Sequence, residues 1–234
     1  MPTTCWNSVR GRRMRATRLD ECCNLLAPAT TCAMLVSKGF VSVQYELEIE
    51  EAEEINLKNA SGESCVLDEG DDEVKWMNVE MQLCGVDPDL FTFMTGSPLV
   101  LDWEGKSVGN RIKKGITTNV NFGLEVWTDI PTDDCGAVGA KPYGYFLLPC
   151  VGKGTIGQFT IQNDALTMTI SAKARSSTGW GVGPYLVDAK DATNAAGPLI
   201  EPIEADDLMD IHLTTIAPPE PVCGCQPMPA AIVP

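Results

Sequence analysis

From Val41 the chain alternates: Val41, Val43, Tyr45, Leu47 and Ile49 fall on one parity, Ser42, Gln44, Glu46, Glu48 and Glu50 on the other. A period of two over this length predicts a strand with one face in a core and one in water. The wet face ends as a ladder of carboxylates. A second alternation runs from Val74 through Val79, Met81 and Leu83, with Glu80 and Gln82 opposite. Asp87-Pro88 then opens a short helix over 87–95, with Asp as N-cap, Pro at the first helical position and Gly96 as the stop. Asn119 to Trp127 alternates again, placing Val120, Phe122, Leu124 and Val126 inward. Residues 143 to 150 form an apolar run suited to a buried strand. Phe159 to Ile161 and Leu166 to Ala172 flank Gln162-Asn163-Asp164 as a hairpin. Gly179 to Pro184 reads as a turn, Glu201 to Asp207 as an acidic connector and Leu208 to Ile216 as the last strand.

These elements predict a mainly β chain with one short helix. The expected organisation is an N-terminal arm or irregular segment over 1–38, a β domain over 39–216, and a Pro-rich extended arm over 217–234. A chain of 234 residues is long enough to bury a full core. No run reaches the roughly 18 apolar residues of a membrane span. The first 23 residues hold no apolar stretch of secretory length, so a cytoplasmic site of folding is expected.

Charge narrows the function classes. Lys plus Arg is 17 and Asp plus Glu is 32, a formal balance of −15. A nucleic-acid binder needs positive charge to displace counterions from phosphate, so stable binding of DNA is disfavoured. The charge is also uneven. Between Glu46 and Glu73 twelve acidic residues stand against one base, Lys58, a local balance of −11. Arg10, Arg12, Arg13, Arg15 and Arg18 put five bases within nine positions. A basic segment and an acidic segment on one chain are complementary surfaces for a neighbouring copy. A solvated tail or a nonspecific nucleic-acid arm is the alternative reading of the arginines.

Several runs, taken in order, carry a resemblance. They are Gly39-Phe40-Val41-Ser42-Val43, Glu50-Glu51-Ala52-Glu53-Glu54-Ile55, Lys58-Asn59-Ala60-Ser61-Gly62, and Cys84 through Leu90 to Thr95-Gly96. Tyr143 to Pro149, Gly179 to Tyr185 and Thr214 to Pro219 continue the series. Over roughly residues 10 to 226 the chain resembles the major tail tube proteins of long-tailed (siphovirus-type) actinobacterial phages. No single run is a specific motif; the collinear order carries the likeness.

The resemblance implies a sandwich or barrel of two packed antiparallel sheets with a flanking helix and extended terminal arms. It also implies a virion protein, assembled in a host cytoplasm as homo-hexameric rings stacked into a tube through which the genome leaves. The implied partners are a tape measure protein, a tail terminator and baseplate proteins, with nonspecific passage of viral DNA and no membrane. Glu46, Glu48 and Glu50, with Glu80 and Glu125 behind them, are the candidates for the lumen face. Outside solvent or a neighbour's bases would suit these carboxylates as well. The expected contacts between subunits are Arg10, Arg12, Arg13, Arg15, Arg18, Asp68, Asp71, Asp72 and Glu73, together with the C-terminal arm. Two other classes stay open: a capsid decoration or baseplate protein, and a cysteine-rich, metal-stabilised binding module.

Chemical motifs are sparse. Gly152-Lys153-Gly154-Thr155-Ile156-Gly157 matches a dinucleotide pattern, but strand-like Gln158-Phe159-Thr160-Ile161 follows where the pyrophosphate needs a helix; a turn is expected instead. His212 is the single histidine and offers the only imidazole base for a nucleophile. Asp68, Asp71, Asp72 and Glu73 lack the ordered spacing of a calcium loop. No enzymatic activity and no cofactor are expected. Of ten cysteines, Cys84 and Cys150 sit at the ends of apolar strands and read as small buried thiols. Cys22, Cys23 and Cys32, and Cys223 and Cys225, lie where they would staple loops. No pair has the Cys-x-x-Cys spacing of a zinc site, and no metal is expected.

Overall fold

The computed structural model describes residues 10–53, 55–58, 60–68, 70–85, 87–115, 120–130, 143–160 and 166–230. The strands are β1 (Arg10–Leu19), β2 (Met34–Ser37), β3 (Phe40–Glu50), β4 (Ile55–Lys58), β5 (Ser64–Asp68) and β6 (Glu73–Cys84). After the helix α1 (Pro88–Thr95) come β7 (Leu99–Leu101), β8 (Ser107–Asn110), β9 (Asn121–Asp129), β10 (Tyr143–Thr160) and β11 (Thr167–Arg175). The last three are β12 (Asp188–Ala189), β13 (Ala196–Gly197) and β14 (Asp210–Thr214). The chain is mainly β, antiparallel, with one α-helix among the described residues.

Eight strands form one continuous antiparallel sheet in the order β2-β1-β9-β10-β11-β6-β3, with β14 alongside the first part of β10. The 18-residue β10 organises it. Its first half pairs with β9 and β14, and from Cys150 onward it pairs with β11. Register shifts between Leu148 and Val151, Gly152 and Thr155, and Ile156 and Phe159 interrupt the ladders. Such bulges bend a strand and increase its twist. The sheet therefore curls until strands five places apart touch: a Cβ on Gly11 of β1 would lie 2.5 Å from the Phe40 ring of β3.

The main core fills the space between the two flanks. Met14, Phe122 and Leu124 from one side meet Met77, Val79, Met81, Ile170 and Ala172 from the other. Leu90, Phe91, Phe93 and Met94 of α1 pack into the same cluster. The helix ends as its sequence requires: the Asp87 carboxylate accepts from the Asp89 and Leu90 amides, and Gly96 adopts the left-handed conformation, φ 70°.

A second core lies on the opposite face of β9 and β10. There Trp127, Tyr145 and Leu147 are covered by Trp180, Tyr185, Val187, Leu199 and Ile203. Both faces of β9 are thus buried, as its unbroken buried run from Asn121 to Trp127 records.

Several expectations are corrected. Residues 10–19 and 34–37 are not arm but strands within the sheet, and β1 lies inside it between β2 and β9. The glycine run 152–157 is not a turn: it lies inside β10, which runs on from the strand read at 143–150 through Phe159 and Thr160, while residue 161 lies outside the described residues. Lys153 adopts a left-handed φ of 56° within that run. The eight-stranded sheet curls on itself, an arrangement compatible with the expected sandwich or barrel. The C-terminal segment is extended but docked: Gln226 pairs with Met34, Met228 bonds with Ala29 and Thr30, and Cys225 is disulfide-bonded to Cys32. The hairpin turn 162–164 lies outside the described residues. Among the described residues no helix is long and apolar enough to cross a membrane.

Candidate functional site

The outward face of β3, β6, β11 and β10 is polar by parity. Odd residues of β6 and even residues of β11 are buried in the core, so the others must point away from it. Gln44 stands opposite Glu80, and Glu80 opposite Ser171, whose neighbour across the ladder is Thr155. One row along, Glu46 stands opposite Asn78 and Asn78 opposite Lys173. With Lys153 these residues line a shallow concavity of about 800 Å³. In the next row the Asn78 side-chain amide donates to Glu48 at 3.0 Å, while Trp76 Nε1 donates to Asn78 Oδ1 at 3.1 Å. Lys173 Nζ sits 3.6 Å from the Trp76 ring centroid, a cation–π contact.

Glu46, Glu48 and Glu80 therefore share one face, as their parity predicts. They are interleaved with Lys153 and Lys173, so the surface is a mixed polar lattice and not a purely acidic ladder. Neither lysine was singled out from the sequence; the alternation Thr169, Ser171, Lys173 was the available signal. Glu50 lies at the end of β3 opposite Glu73, and Lys75 relieves that like-charge pair with a 2.7 Å bridge to Glu50.

Glu125 is not on this surface. It is completely buried, and both of its oxygens accept from Arg15, Oε2 at 2.5 Å from Nε; Oε1 also accepts from the Tyr145 hydroxyl at 2.7 Å. The Arg15 guanidinium lies 3.3 Å from the Tyr185 ring centroid and 5.0 Å from that of Trp127. Burial opposes the charge on Arg15, but Glu125 outweighs it and raises the arginine pKa. Burial also pushes Tyr185 up to about 12, and its hydroxyl shares a 2.8 Å hydrogen bond with Thr17. Glu125 and Arg15 are thus excluded both from a lumen face and from contacts between subunits. The alternation of β9 concealed this because the second layer that buries Glu125 comes from residues some 55 to 80 positions later.

The other arginines divide. Arg12 pairs with Asp129 at 2.8 Å and Arg13 with Glu220 at 3.3 Å, whereas Arg10 and Arg18 are exposed, Arg18 lying 5.9 Å from the Phe93 ring centroid. Of the acidic group, Asp68 closes β5, Glu73 opens β6, Asp71 is exposed, and Asp72 accepts from the Ala52 amide at 2.9 Å.

The opposite face of the β3–β6 ribbon is apolar and uncovered. Leu47 and Ile49 follow the core parity, yet each is half exposed, as is Val74 opposite Ile49. The ribbon runs past the end of the core, and the separate β4–β5 hairpin, which follows β3 in sequence, carries exposed Ile55 and Leu57.

His212 sits between two carboxylates. Its Nδ1 lies 2.8 Å from Asp210 and its Nε2 3.0 Å from Asp188, beside a 440 Å³ hollow also lined by Glu201 and Asp207. Burial lowers its pKa, but the two carboxylates outweigh burial and raise it to about 9. Among the described residues no three His, Cys, Asp or Glu side chains are grouped to hold a metal.

The cysteines pair across the chain. Cys32 bonds to Cys225, joining two of the segments flagged for stapling, and Cys23 bonds to Cys150. Cys150 is buried as expected but oxidised; Cys84 takes the outward parity of β6 and is exposed. Cys22, Cys65 and Cys223 are free and exposed, and Cys5 and Cys135 lie outside the described residues. No protein-family model matches the chain, and no curated protein does.

Proposed function

We propose that this chain is a structural virion subunit, a major tail tube protein of the long-tailed phage type, that assembles as hexameric rings stacked into a conduit for the genome. The observation that carries the reading is the β3–β6 ribbon. It overhangs the core with carboxylates on one face and uncovered Leu47, Ile49 and Val74 on the other. An isolated two-stranded ribbon with an apolar face is marginal in water, and a neighbour that covers it removes both the exposed area and the free strand edge.

The finer fold belongs to the same reading: the curled sheet is a sandwich of the tail tube type whose free edge at β3 is completed by the next subunit. The polar lattice of Gln44, Glu46, Glu48, Glu80, Ser171, Lys153 and Lys173 faces the lumen. Hydrated side chains of both signs offer DNA no strong site, while a ring of six copies carries on the order of −90 overall and repels the polyanion. Tape measure, terminator and baseplate proteins would meet such a tube along its lumen and at its ends. Negative-stain electron microscopy over a concentration series, with light scattering, tests the proposal. Hollow rings or tubes with sixfold end views are expected; a strictly monomeric protein that also fails to add to preformed tail ends overturns it.

A further inference from the structure

A second exposed apolar surface lies on the β7–β8 hairpin beside α1. The β7–β8 hairpin rests on the helix, where the Asn110 side-chain amide donates to Pro88 O at 2.9 Å and Thr92 Oγ1 at 2.7 Å. Its remaining surface is open: Trp103, at the hairpin turn, is 90% exposed, and Leu101, Val108 and Ile112 are each more than half exposed. A tryptophan presented in this way has a large cost in water and is the side chain most enriched at binding hot spots. The surroundings are basic. From Leu99 to Gly115 there are four bases, Lys106, Arg111, Lys113 and Lys114, against Asp102 and Glu104. This is the reverse of the acidic ribbon region, whose balance is −11 between Glu46 and Glu73.

Both surfaces are exposed in the single chain, so neither covers the other within one molecule. They are apolar, similar in character and opposite in charge. We infer that the β7–β8 hairpin of one copy docks on the apolar face of the β3–β6 ribbon and β4–β5 hairpin of another. Trp103 seats among Leu47, Ile49 and Val74, and Arg111, Lys113 and Lys114 face Glu51, Glu53 and Asp71. The two surfaces differ, so the contact is head-to-tail, and repetition of it produces either a closed ring or an open filament. Opposite potentials set the register and speed encounter, while the buried tryptophan holds the contact. The inference rests on the self-assembly part of the proposed function, but it requires neither six copies nor a tube.

Two charge-reversed variants test it together with Trp103→Glu. One carries Arg111→Glu, Lys113→Glu and Lys114→Glu; the other carries Glu51→Lys, Glu53→Lys and Asp71→Lys. Each should be folded by circular dichroism and should associate at least about tenfold more weakly than the native chain in sedimentation or light scattering. An equimolar mixture of the two should recover association, because each hairpin then meets a ribbon of opposite sign. Trp103→Glu alone should stay dispersed, and mixed with native chain it should join only through its intact ribbon face and so cap growth. Native-like association of Trp103→Glu overturns the inference, as does a mixture of folded variants that fails to recover. If the native chain forms rings or tubes and these variants do too, the docking is wrong and the tube reading survives. If the native chain associates without rings and Trp103→Glu abolishes it, the docking stands and the tube reading falls.

Discussion

Glu125 shows how one residue changes meaning when a second layer covers a strand. In an alternating segment a single carboxylate marks the wet face, but here it closes a buried ion pair with Arg15 and accepts a third hydrogen bond from Tyr145. Removing one partner leaves the other charge buried and unpaired, so Arg15→Met or Glu125→Leu should each cost on the order of 3–5 kcal/mol. Denaturant unfolding of the single and double variants checks this; the double variant should be far less damaged than the singles predict by addition. His212 gives a pH signature at the same scale. Its folded-state pKa, about 9, lies above the unfolded value near 6.5. The protonated ring's pairing with Asp188 and Asp210 is therefore fully stabilising below about pH 6.5 and is lost as pH rises through about 9. The native chain should lose on the order of 2–3 kcal/mol over that window relative to His212→Gln, read from urea midpoints at pH 6 and 9.5.

At the scale of elements, local rules were sufficient where the signal is local. The capping of α1 by Asp87, Pro88 and Gly96, and the alternation of β3 and β6, depend on neighbours in sequence. The strand at 10–19 was masked because Arg10, Arg12, Arg13, Arg15 and Arg18 hide its period. It forms because β2 and β9 supply ladders on both sides and Glu125, Asp129 and Glu220 supply counter-charges from far along the chain. Of the polar surface, Glu46, Glu48 and Glu80 were legible, whereas Lys173 joins them through its register opposite Asn78 and Lys153 through the bulged part of β10. Gly154 lets β10 pass close against α1, where an added Cβ would strike the carbonyl of Met94. Backbone cannot yield as a side chain can, so Gly154→Ala should destabilise the fold by about 1–3 kcal/mol or more, measured by thermal unfolding. The Cys32–Cys225 disulfide pins the C-terminal segment to β2 across 193 residues of sequence. Cys225→Ser should raise amide exchange at Met34 and Gln226, which bond to each other, while exchange in β9 stays slow.

For the whole molecule the deciding quantity is where the charge lies, not its total. The proposed lumen surface carries Glu46, Glu48 and Glu80 against Lys153 and Lys173, close to balance, whereas the sequence from Glu46 to Glu73 as a whole has a balance of −11. Replacing Glu46, Glu48 and Glu50 with Lys changes each subunit by six charges and a ring of six by about +36, turning a weakly repelling wall into an attractive one. Tubes should still form, since these carboxylates leave the apolar ribbon face intact, but DNA release from reconstituted particles should slow. The delay should shrink as salt rises, because screening lengths fall from about 10 Å at 0.1 M to about 3 Å at 1 M. Lys153→Gln with Lys173→Gln should leave release as fast as native or faster. A triple variant that ejects normally at low salt would place Glu46, Glu48 and Glu50 on the outer wall, where a neighbour's bases or solvent meet them, and would leave the lumen to another face of the sheet.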